Sequence, residues 1–503
     1  MDTKGESSMK DIYYNYSGLE HGSCSTVIIG KNASTTGKVI MGHNEDDTDC
    51  VVQAHLVPRI KHAPGEMITF EDGRAIIPQV RETLAYYWSE VKCDGGISFA
   101  DGYVNECGVA IVSNACRPSK DATGVKTDNR EAYGLGYALR RLAAERAHTA
   151  REGVQVMAKL VEEFGYFSSR TYHIADADEA WTVSVPKGHR LVARRVQDDE
   201  VYYIPNHYII HEVDMNDPDN YYASPDLITF AVEQGWYTPA KEGDYSDFDF
   251  AKAYQDNYDV MPQANINRAS IAWKLLADLE PEGQDLKITA LKAPRKYSPE
   301  DVKKVLRSHG EGMWVDRTEG GNANPHKGFD DLLCVCNNMT VESTVFVFND
   351  DINLLRMYKA NPKPCLSPYV PWYPVALKEI PEGYEWNTAK EAQPSHFRWD
   401  EEEYEFDPSR AWWAFKNVQF LTDFNYRATH RPIKDLIAVA ETKWEKETAA
   451  VEAAYRTLAE TDPDAAAEYL SDYTQRQAQA ALKWARRTVG QLYLAHYHED
   501  KYD

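Results

Sequence analysis

Residues 24–47 read CSTVIIGKNASTTGKVIMGHNEDD, and this stretch decides the fold. Ser25–Ile29 is a short run rich in β-branched residues, and Lys38–His43 is a second apolar run. The residues between them include the turn-forming sequence Ser-Thr-Thr-Gly, so the pattern predicts a β-hairpin. In an antiparallel pair the end of the second strand lies beside the start of the first. We therefore expect the Cys24 thiol to lie near the carboxylates that follow His43.

Farther along the chain, strand patterns and helix patterns occur in separate blocks. Thr149 and Glu152 have the spacing of a capping box that opens a helix, and Gly165 is placed to end it. Runs of strands with helices in separate blocks favour an α+β fold over alternating βαβ units. The predicted strands after the hairpin are Val109–Ser113, Thr171–Ile174, Ala180–Val185, Arg190–Val196 and Glu200–Ile204, and the predicted helices are Ala132–Ala147, Gly153–Phe164 and residues 263–281.

Both ends of the chain differ from its middle. Residues 1–23 are polar and show no periodic pattern, so we interpret them as a flexible leader. From Pro432 to about His498 the chain is rich in Ala, Glu, Lys and Arg with helical spacing, interrupted at residues 461–464. This pattern predicts two long amphipathic helices. We therefore expect three parts, which are the leader at residues 1–23, a main domain at residues 24–430 and a C-terminal helical extension at residues 431–503.

Composition and charge argue against several classes of function. The 503 residues include 79 acidic and 55 basic side chains, which gives a net charge of −24. Such a charge repels phosphate backbones and anionic lipid, so we expect neither nucleic acid nor a membrane as a partner. No apolar run approaches the roughly 18 residues of a membrane span, and the first residues lack the apolar stretch of a secretory signal. Eight cysteines in this length fit the reduced thiols of a cytoplasmic protein better than a disulfide framework.

Sequence motifs for metal binding or for a serine nucleophile do not occur in the chain. HExxH and GxSxG are missing from the sequence. Cys334-Val335-Cys336 has no second cysteine pair at zinc spacing. The acidic run at residues 45–49 lacks the glycine and the terminal glutamate of a calcium loop. We therefore predict no metal and no cofactor.

The hairpin sequence and the segments that follow it resemble one known family in their order along the chain. The matching segments are CSTVIIGKNAS…HNEDD at residues 24–47, Tyr87–Glu90, Ser98–Asn114, Tyr172–Val185, Ile204–His207, Asn267-Arg268 and Pro371–Tyr373. As an ordered set they resemble the cysteine-type dipeptidases related to secernins, within the N-terminal-nucleophile (Ntn) hydrolase superfamily. The resemblance covers most of residues 24–425.

The resemblance implies a four-layer αββα sandwich and a particular chemistry. In such enzymes the nucleophile is the first residue of the mature chain, and its own α-amine is the base. An α-amine has a pKa of about 7.7–8.0, close to the operating pH, whereas a lysine at about 10.4 would be charged. Cys24 must then be exposed by removal of residues 1–23. We expect the Cys24 thiolate to attack the carbonyl of Ser23, and the resulting thioester to be hydrolysed.

The resemblance also implies roles for individual residues. Cys24 matches the nucleophile, and Asp46 matches the carboxylate that holds its α-amine. Asn206 matches the amide that lies against the reacting centre, and Arg268 matches the guanidinium that orients the site. Asn114 would supply an oxyanion-hole amide. Two of these residues keep an alternative interpretation. Asp46 can be an ordinary turn aspartate, and Asn114 can be a mid-strand asparagine whose side chain satisfies backbone groups.

The chain departs from related Ntn hydrolases at one position beside the motif. Many of them have Arg immediately before Asn-x-Asp, where this chain has His43. An imidazole does not replace a fixed cation. The departure leaves two expectations, either that Arg268 alone stabilises the thiolate or that activity depends more strongly on pH.

The expected substrate follows from the resemblance. It implies hydrolysis of dipeptides with a free N-terminus, and Glu45 or Asp47 would bind the substrate ammonium. One alternative is an Ntn amidase that acts on a penicillin or a bile-salt conjugate. Another is a secernin-like protein that binds without catalysis. The sequence leaves the oligomeric state open, with a homo-oligomer as one alternative.

Overall fold

The computed structural model describes residues 23–47, 50–69, 75–93, 101–116, 120, 134–166, 168–279, 290–320, 323–327, 333–396 and 401–499. The strands are β1 (Ser25–Ile29), β2 (Ile40–Asp46), β3 (Cys50–Val57), β4 (Ile60–Lys61), β5 (Met67–Thr69), β6 (Ile76–Pro78), β7 (Glu82–Thr83), β8 (Tyr86–Cys93), β9 (Gly102–Asn105), β10 (Ala110–Ala115), β11 (Arg170–Ala175), β12 (Ala180–Val185), β13 (Val192–Arg195), β14 (Glu200–Ile204), β15 (Tyr221–Ala223), β16 (Ala290–Lys292), β17 (Thr340–Val347), β18 (Arg356–Ala360) and β19 (Val370–Trp372). The α-helices are α1 (Leu139–Ala144), α2 (Ala150–Phe164), α3 (Leu227–Glu233), α4 (Phe250–Tyr254), α5 (Gln263–Ala277), α6 (Pro299–Leu306), α7 (Ala389–Ser395), α8 (Ala411–Phe424), α9 (Tyr426–Ala459) and α10 (Pro463–Glu499).

Two large antiparallel sheets form the centre of the molecule. The first sheet has seven strands in the order β16-β14-β1-β2-β17-β18-β19, and the second has eight in the order β15-β13-β12-β11-β10-β9-β8-β3. One buried apolar cluster contains side chains of both sheets, including Ile28 and Met41 from the first and Val104 and Val112 from the second. The two sheets therefore pack face to face around a shared core.

Helices cover the other face of each sheet. Val161 of α2 shares a buried cluster with Ile174 of β11 in the second sheet. Trp273 of α5 and Val302 of α6 share another with Val27 of β1 in the first sheet. Burial of the outer sheet faces under separate blocks of helices confirms the prediction of an α+β fold.

The predicted hairpin is confirmed. β1 and β2 pair antiparallel, with Ser25 opposite Asn44 and Ile29 opposite Ile40. β2 continues past the predicted run to Asp46, because β17 pairs with its other edge along this length. The register places Cys24, which immediately precedes β1, beside the acidic end of β2.

The predicted cap at Thr149 and the predicted end of α2 are confirmed, and the helix begins at Ala150, three residues before the predicted Gly153. Thr149 Oγ1 accepts a hydrogen bond from the backbone N–H of Glu152 at 3.1 Å, which satisfies one of the free donors of the first helical turn. Gly165 follows the last helical residue with a φ of 81°, a conformation that glycine adopts without strain. The strands predicted after the hairpin correspond to β10, β11, β12, β13 and β14.

The helix predicted at Ala132–Ala147 is wrong over its first part. Gly134 and Gly136 have φ values of 53° and 57°, outside the right-handed helical region, and α1 begins only at Leu139. A Cβ atom at Gly134 would overlap the carbonyl oxygen of Gly165. The close approach of the Gly134 and Gly165 backbones therefore decides the conformation here. It prevents the helix that the spacing of the apolar residues predicted.

The two predicted C-terminal helices are confirmed as α9 and α10, with the break between them at residues 460–462. Ile433 and Trp444 of α9 and Leu482 of α10 belong to the buried cluster that the two sheets share. The extension thus packs on the main core. Some predicted ranges fall outside the described residues, namely 1–22 of the leader, 98–100 of a matching segment, 132–133 and 280–281 of two helices, and 500–503 of the extension.

The expectation of reduced thiols is confirmed at most described positions and is wrong at one. Cys50 is disulfide-bonded. It opens β3 and lies opposite Cys93 in the register of β3 and β8. The free cysteines are Cys24, Cys107, Cys116, Cys334, Cys336 and Cys365.

In the described part of the chain, no helix is both long enough and apolar enough to cross a membrane.

Candidate active site

The Cys24 thiol lies at the acidic end of β2. Cys24 is buried, with 3% of its surface exposed. Its Sγ lies 3.1 Å from Glu45 Oε1 and 3.8 Å from the backbone oxygen of Asp46. Burial and the negative charges of Glu45 and Asp46 raise the pKa of the thiol well above its ordinary value. The thiol is therefore protonated at neutral pH and needs a base to become a nucleophile.

Glu45 is the carboxylate that contacts the thiol, as the expected proximity of the thiol to the carboxylates after His43 implied. Burial raises the pKa of Glu45 to about 8, and the nearby charges of Arg140 and Arg170 oppose that rise. Its Oε2 lies 2.9 Å from His43 Nε2. A carboxylate that titrates near neutral pH can accept a proton from the thiol at 3.1 Å.

The His43 ring is neutral. Burial lowers its pKa to about 3, and its Nδ1 lies 2.8 Å from Thr26 Oγ1. His43 therefore does not supply the fixed cation found before Asn-x-Asp in many Ntn hydrolases. Arg140 of α1 and Arg170 of β11 both donate to Ser113 Oγ at 2.9 Å, and their charges act on His43 and Glu45. Two guanidinium groups besides Arg268 therefore act on Glu45, the residue that contacts the thiol.

Asp46 ends β2 and faces the residue before the nucleophile. Its Oδ2 accepts hydrogen bonds from Ser23 Oγ at 3.0 Å and from Asn337 Nδ2 at 2.7 Å. Its Oδ1 is buried and has no hydrogen-bond partner among the described residues. Burial raises the pKa of Asp46 to about 6, while hydrogen bonding and the charge of Arg268 oppose the rise.

Arg268 spans the peptide bond between Ser23 and Cys24. It projects from α5 and is fully buried. Its Nη1 donates to the carbonyl oxygen of Ser23 and, at 2.6 Å, to that of Cys24. Its Nη2 donates to Asn206 Oδ1 at 2.8 Å and to Asn265 Oδ1. The planar, permanently charged fork therefore fixes this backbone and the Asn206 side chain together.

Asn114 of β10 contacts the backbone around the nucleophile. Its Nδ2 donates to the carbonyl oxygen of Cys24 at 3.2 Å and to that of Ile204 at 3.0 Å. Its Oδ1 accepts from Thr26 Oγ1 at 2.6 Å. This placement agrees with the alternative interpretation of Asn114 as an asparagine that satisfies backbone groups, and it also joins the second sheet to the nucleophile.

The five predicted site residues converge on one place. Asn206 completes the set, because its Nδ2 donates to the backbone oxygen of Ala115 at 2.7 Å while its Oδ1 accepts from Arg268. The cavity bordered by His43 and Glu45 has a volume of only about 10 Å³. That volume is close to the least a water molecule needs, and a dipeptide is far larger.

Several bacterial proteins are similar to this chain. A "Probable dipeptidase" of Latilactobacillus sakei is 27% identical over 297 residues, which cover 58% of this chain and 61% of that relative. A "Probable dipeptidase B" of Streptococcus pyogenes is 24% identical over 482 residues, which cover 92% of this chain and 91% of the relative. A "Probable dipeptidase A" of the same species is 27% identical over 307 residues, 59% of this chain and 63% of the relative.

The chain also matches the sequence pattern of Peptidase family C69. The match runs from residue 23 to residue 438. It begins at the residue before the thiol and includes every predicted site residue and the beginning of α9. Because it spans well over half of the chain, the protein belongs to peptidase family C69, a family of peptide-bond hydrolases.

Proposed function

We propose that this protein is a cysteine-type dipeptidase whose nucleophile is the Cys24 thiol, exposed by removal of residues 1–23. The observation that carries the proposal is the convergence at Cys24, where Glu45 contacts the thiol and Arg268 holds the peptide bond that would be cleaved. The names of the similar proteins support a dipeptide as the substrate. The two packed sheets with helices on their outer faces support an αββα Ntn sandwich. Its catalytic domain would comprise residues 24–430, followed by the helical extension at 431–503.

The leader would be removed by the chain itself. Before cleavage the nitrogen of Cys24 is an amide and cannot act as a base, so Glu45 accepts the thiol proton. The thiolate attacks the carbonyl carbon of Ser23, and Arg268 stabilises the negative charge on its oxygen. The Ser23–Cys24 C–N bond breaks, the Glu45 proton passes to the departing amine, and a thioester remains. Water hydrolyses this thioester, which releases the Ser23 carboxylate with the leader and restores the thiol.

In the mature enzyme the new α-amine of Cys24 would be the base. The Asp46 carboxylate would accept an N–H from this amine. The amine takes the thiol proton, the thiolate attacks the substrate carbonyl, and the proton passes to the departing amino group. Asparagine amide and backbone N–H groups stabilise the oxyanion, and water then hydrolyses the acyl-enzyme. The carboxylate of Glu45 or Asp47 would bind the substrate ammonium.

The first test combines processing with substrate choice. We expect purified, active protein to begin at Cys24 by N-terminal sequencing and to hydrolyse free dipeptides. It should leave N-acetylated dipeptides intact, because acetylation removes the ammonium that a carboxylate would bind. Preference for a penicillin or a bile-salt conjugate would instead establish the amidase alternative. A retained leader, no turnover and no labelling of Cys24 would establish a binding protein.

Replacing Glu45 with Gln should slow leader removal by about 10²-fold, the lower range for loss of a general base. In the unchanged protein the processing rate should rise as the pH increases through about 8, because only ionised Glu45 can accept the thiol proton. The variant should lose this rise. Intact mass measured at intervals after cell-free synthesis follows both effects.

Asp47→Asn is the matched control for Glu45→Gln, because it neutralises a carboxylate two positions along the same acidic run. It should be processed at the rate of the unchanged protein. Equal processing rates for Glu45→Gln and the unchanged protein across this pH range would exclude Glu45 as the base.

A further inference from the structure

A second group of ligand-type side chains lies between α6, the first sheet and α8. His309 and His326 each direct Nε2, and Cys336 and Cys365 each direct Sγ, into one place. These four atoms all lie within 4.8 Å of one another, and all four residues are buried. Two imidazoles and two thiols are the donor set of structural zinc sites.

The spacing of the four atoms fits one tetrahedral ion. Zinc bonds of about 2.0–2.1 Å to nitrogen and 2.3 Å to sulfur imply ligand atoms about 3.3–3.8 Å apart. His309 Nε2 lies 3.3 Å from His326 Nε2, and Cys336 Sγ lies 3.4 Å from Cys365 Sγ. Cys365 Sγ lies 3.3 Å from His326 Nε2. The nitrogen–nitrogen separation agrees with its tetrahedral edge, and the sulfur–sulfur and sulfur–nitrogen separations are shorter than their edges of about 3.8 and 3.6 Å by a few tenths of an ångström.

Both histidines are held in the orientation that a metal ligand needs. His326 Nδ1 lies 2.6 Å from Asp423 Oδ1, and His309 Nδ1 lies 3.3 Å from Glu311 Oε1. A ring that donates Nδ1–H to a carboxylate leaves the Nε2 lone pair free to face a metal. Asp423 is itself fixed by Gln419 Nε2 at 3.0 Å. Such carboxylate–histidine pairs are the usual second layer around protein zinc.

The four residues come from two connections, the one between α6 and β17 and the one between β18 and β19. His309 follows α6, His326 lies in the loop at residues 323–327, Cys336 precedes β17 and Cys365 follows β18. A cavity of about 1030 Å³ is lined in part by Cys365 and reaches the cluster. Buried donors from two connections can share one ion, and the cavity provides a path by which an ion can enter.

We propose that His309, His326, Cys336 and Cys365 bind one structural Zn²⁺ ion. The ion joins the loop of Cys336 to α6 and to the loop after β18. Asn337, the next residue, donates to Asp46 beside Cys24, and Asn44 donates to the backbone oxygen of Val335 at 2.9 Å. The metal therefore stabilises the loop that positions Asp46, and takes no direct part in hydrolysis.

The test measures metal in the full-length protein purified under reducing conditions without added chelator. We expect about one zinc per chain by inductively coupled plasma mass spectrometry, and a lower melting temperature after a strong chelator removes it. Cobalt should give the absorption of a tetrahedral site with two thiolates. Cys336→Ser and Cys365→Ser should each lose most of the bound zinc.

Cys334→Ser is the matched control, because Cys334 is a buried free thiol two residues from Cys336 and outside the four-residue group. It should retain zinc at the level of the unchanged protein. Protein that contains no zinc and takes up neither zinc nor cobalt on reconstitution would overturn the proposal. So would a Cys336–Cys365 disulfide that forms equally with and without zinc, or a Cys336→Ser variant that folds and keeps its zinc.

Discussion

Replacing Cys24 with Ala is expected to leave residues 1–23 on the chain and to reduce dipeptide hydrolysis by at least about 10³-fold, because the nucleophile of both reactions is lost. Sγ contacts Glu45 at 3.1 Å, and a methyl group in its place can neither give up a proton nor form a thioester. Intact mass reports the leader, and kcat/KM for a dipeptide reports turnover. Leader removal and dipeptide hydrolysis should both be lost in this variant.

Two further variants make the Cys24 result specific. Cys107→Ala removes a half-buried free thiol outside the site and should keep processing and activity. Cys24→Ser keeps a weaker nucleophile and should process slowly rather than not at all. A Cys24→Ala protein that begins at residue 24, or that hydrolyses dipeptides at the rate of the unchanged protein, would end the proposed mechanism.

Replacing Arg268 with Lys is expected to reduce leader removal by about 10²–10³-fold, the loss typical of one oxyanion donor, and to lower kcat/KM because Asn206 loses the group that orients it. The guanidinium donates to the carbonyl oxygens of Ser23 and Cys24 and to the side chains of Asn206 and Asn265. An ammonium group keeps the charge but is a point donor, and cannot span these acceptors in one plane. Rates of processing by intact mass and of turnover by dipeptide assay measure the two losses.

Arg151→Lys provides the control for this substitution. Arg151 on α2 also makes two side-chain hydrogen bonds to one partner, Glu179, at 3.2 and 3.0 Å, but α2 lies on the outer face of the second sheet. It should change neither rate. Thermal melting of both variants separates loss of function from loss of structure. An Arg268→Lys protein with the melting temperature and both rates of the unchanged protein would remove Arg268 from the mechanism.

The acidic end of β2 shows how far the sequence could predict the site. The hairpin pattern placed Cys24 beside residues 45–47, and the structure confirms that pairing. The sequence could not show which carboxylate contacts the thiol, because this contact depends on the burial of β2 between β1 and β17. The sequence could not predict the contact of Asn337 with Asp46 either, because 291 positions separate these two residues.

The cysteine and histidine cluster shows a different limit. Zinc motifs are recognised by short spacings between ligands. Here the four ligands are spread over residues 309–365, so the only close cysteine pair, Cys334 and Cys336, contributes one member. The prediction of no metal came from this spacing rule. Only the folding of the α6–β17 connection on itself and against the loop after β18 brings the donors within reach of one ion.

Local pattern alone determined the hairpin at residues 24–46, the capped start and glycine end of α2, and the two long C-terminal helices. Each of these depends on backbone preferences and apolar spacing within a few residues. Tertiary structure decided the bend at Gly134, where the backbone approaches Gly165, and the convergence of Arg268 on a peptide bond 245 residues away. Such contacts arise when two sheets and their helices bury a common core. The spacing of neighbouring residues does not predict that geometry.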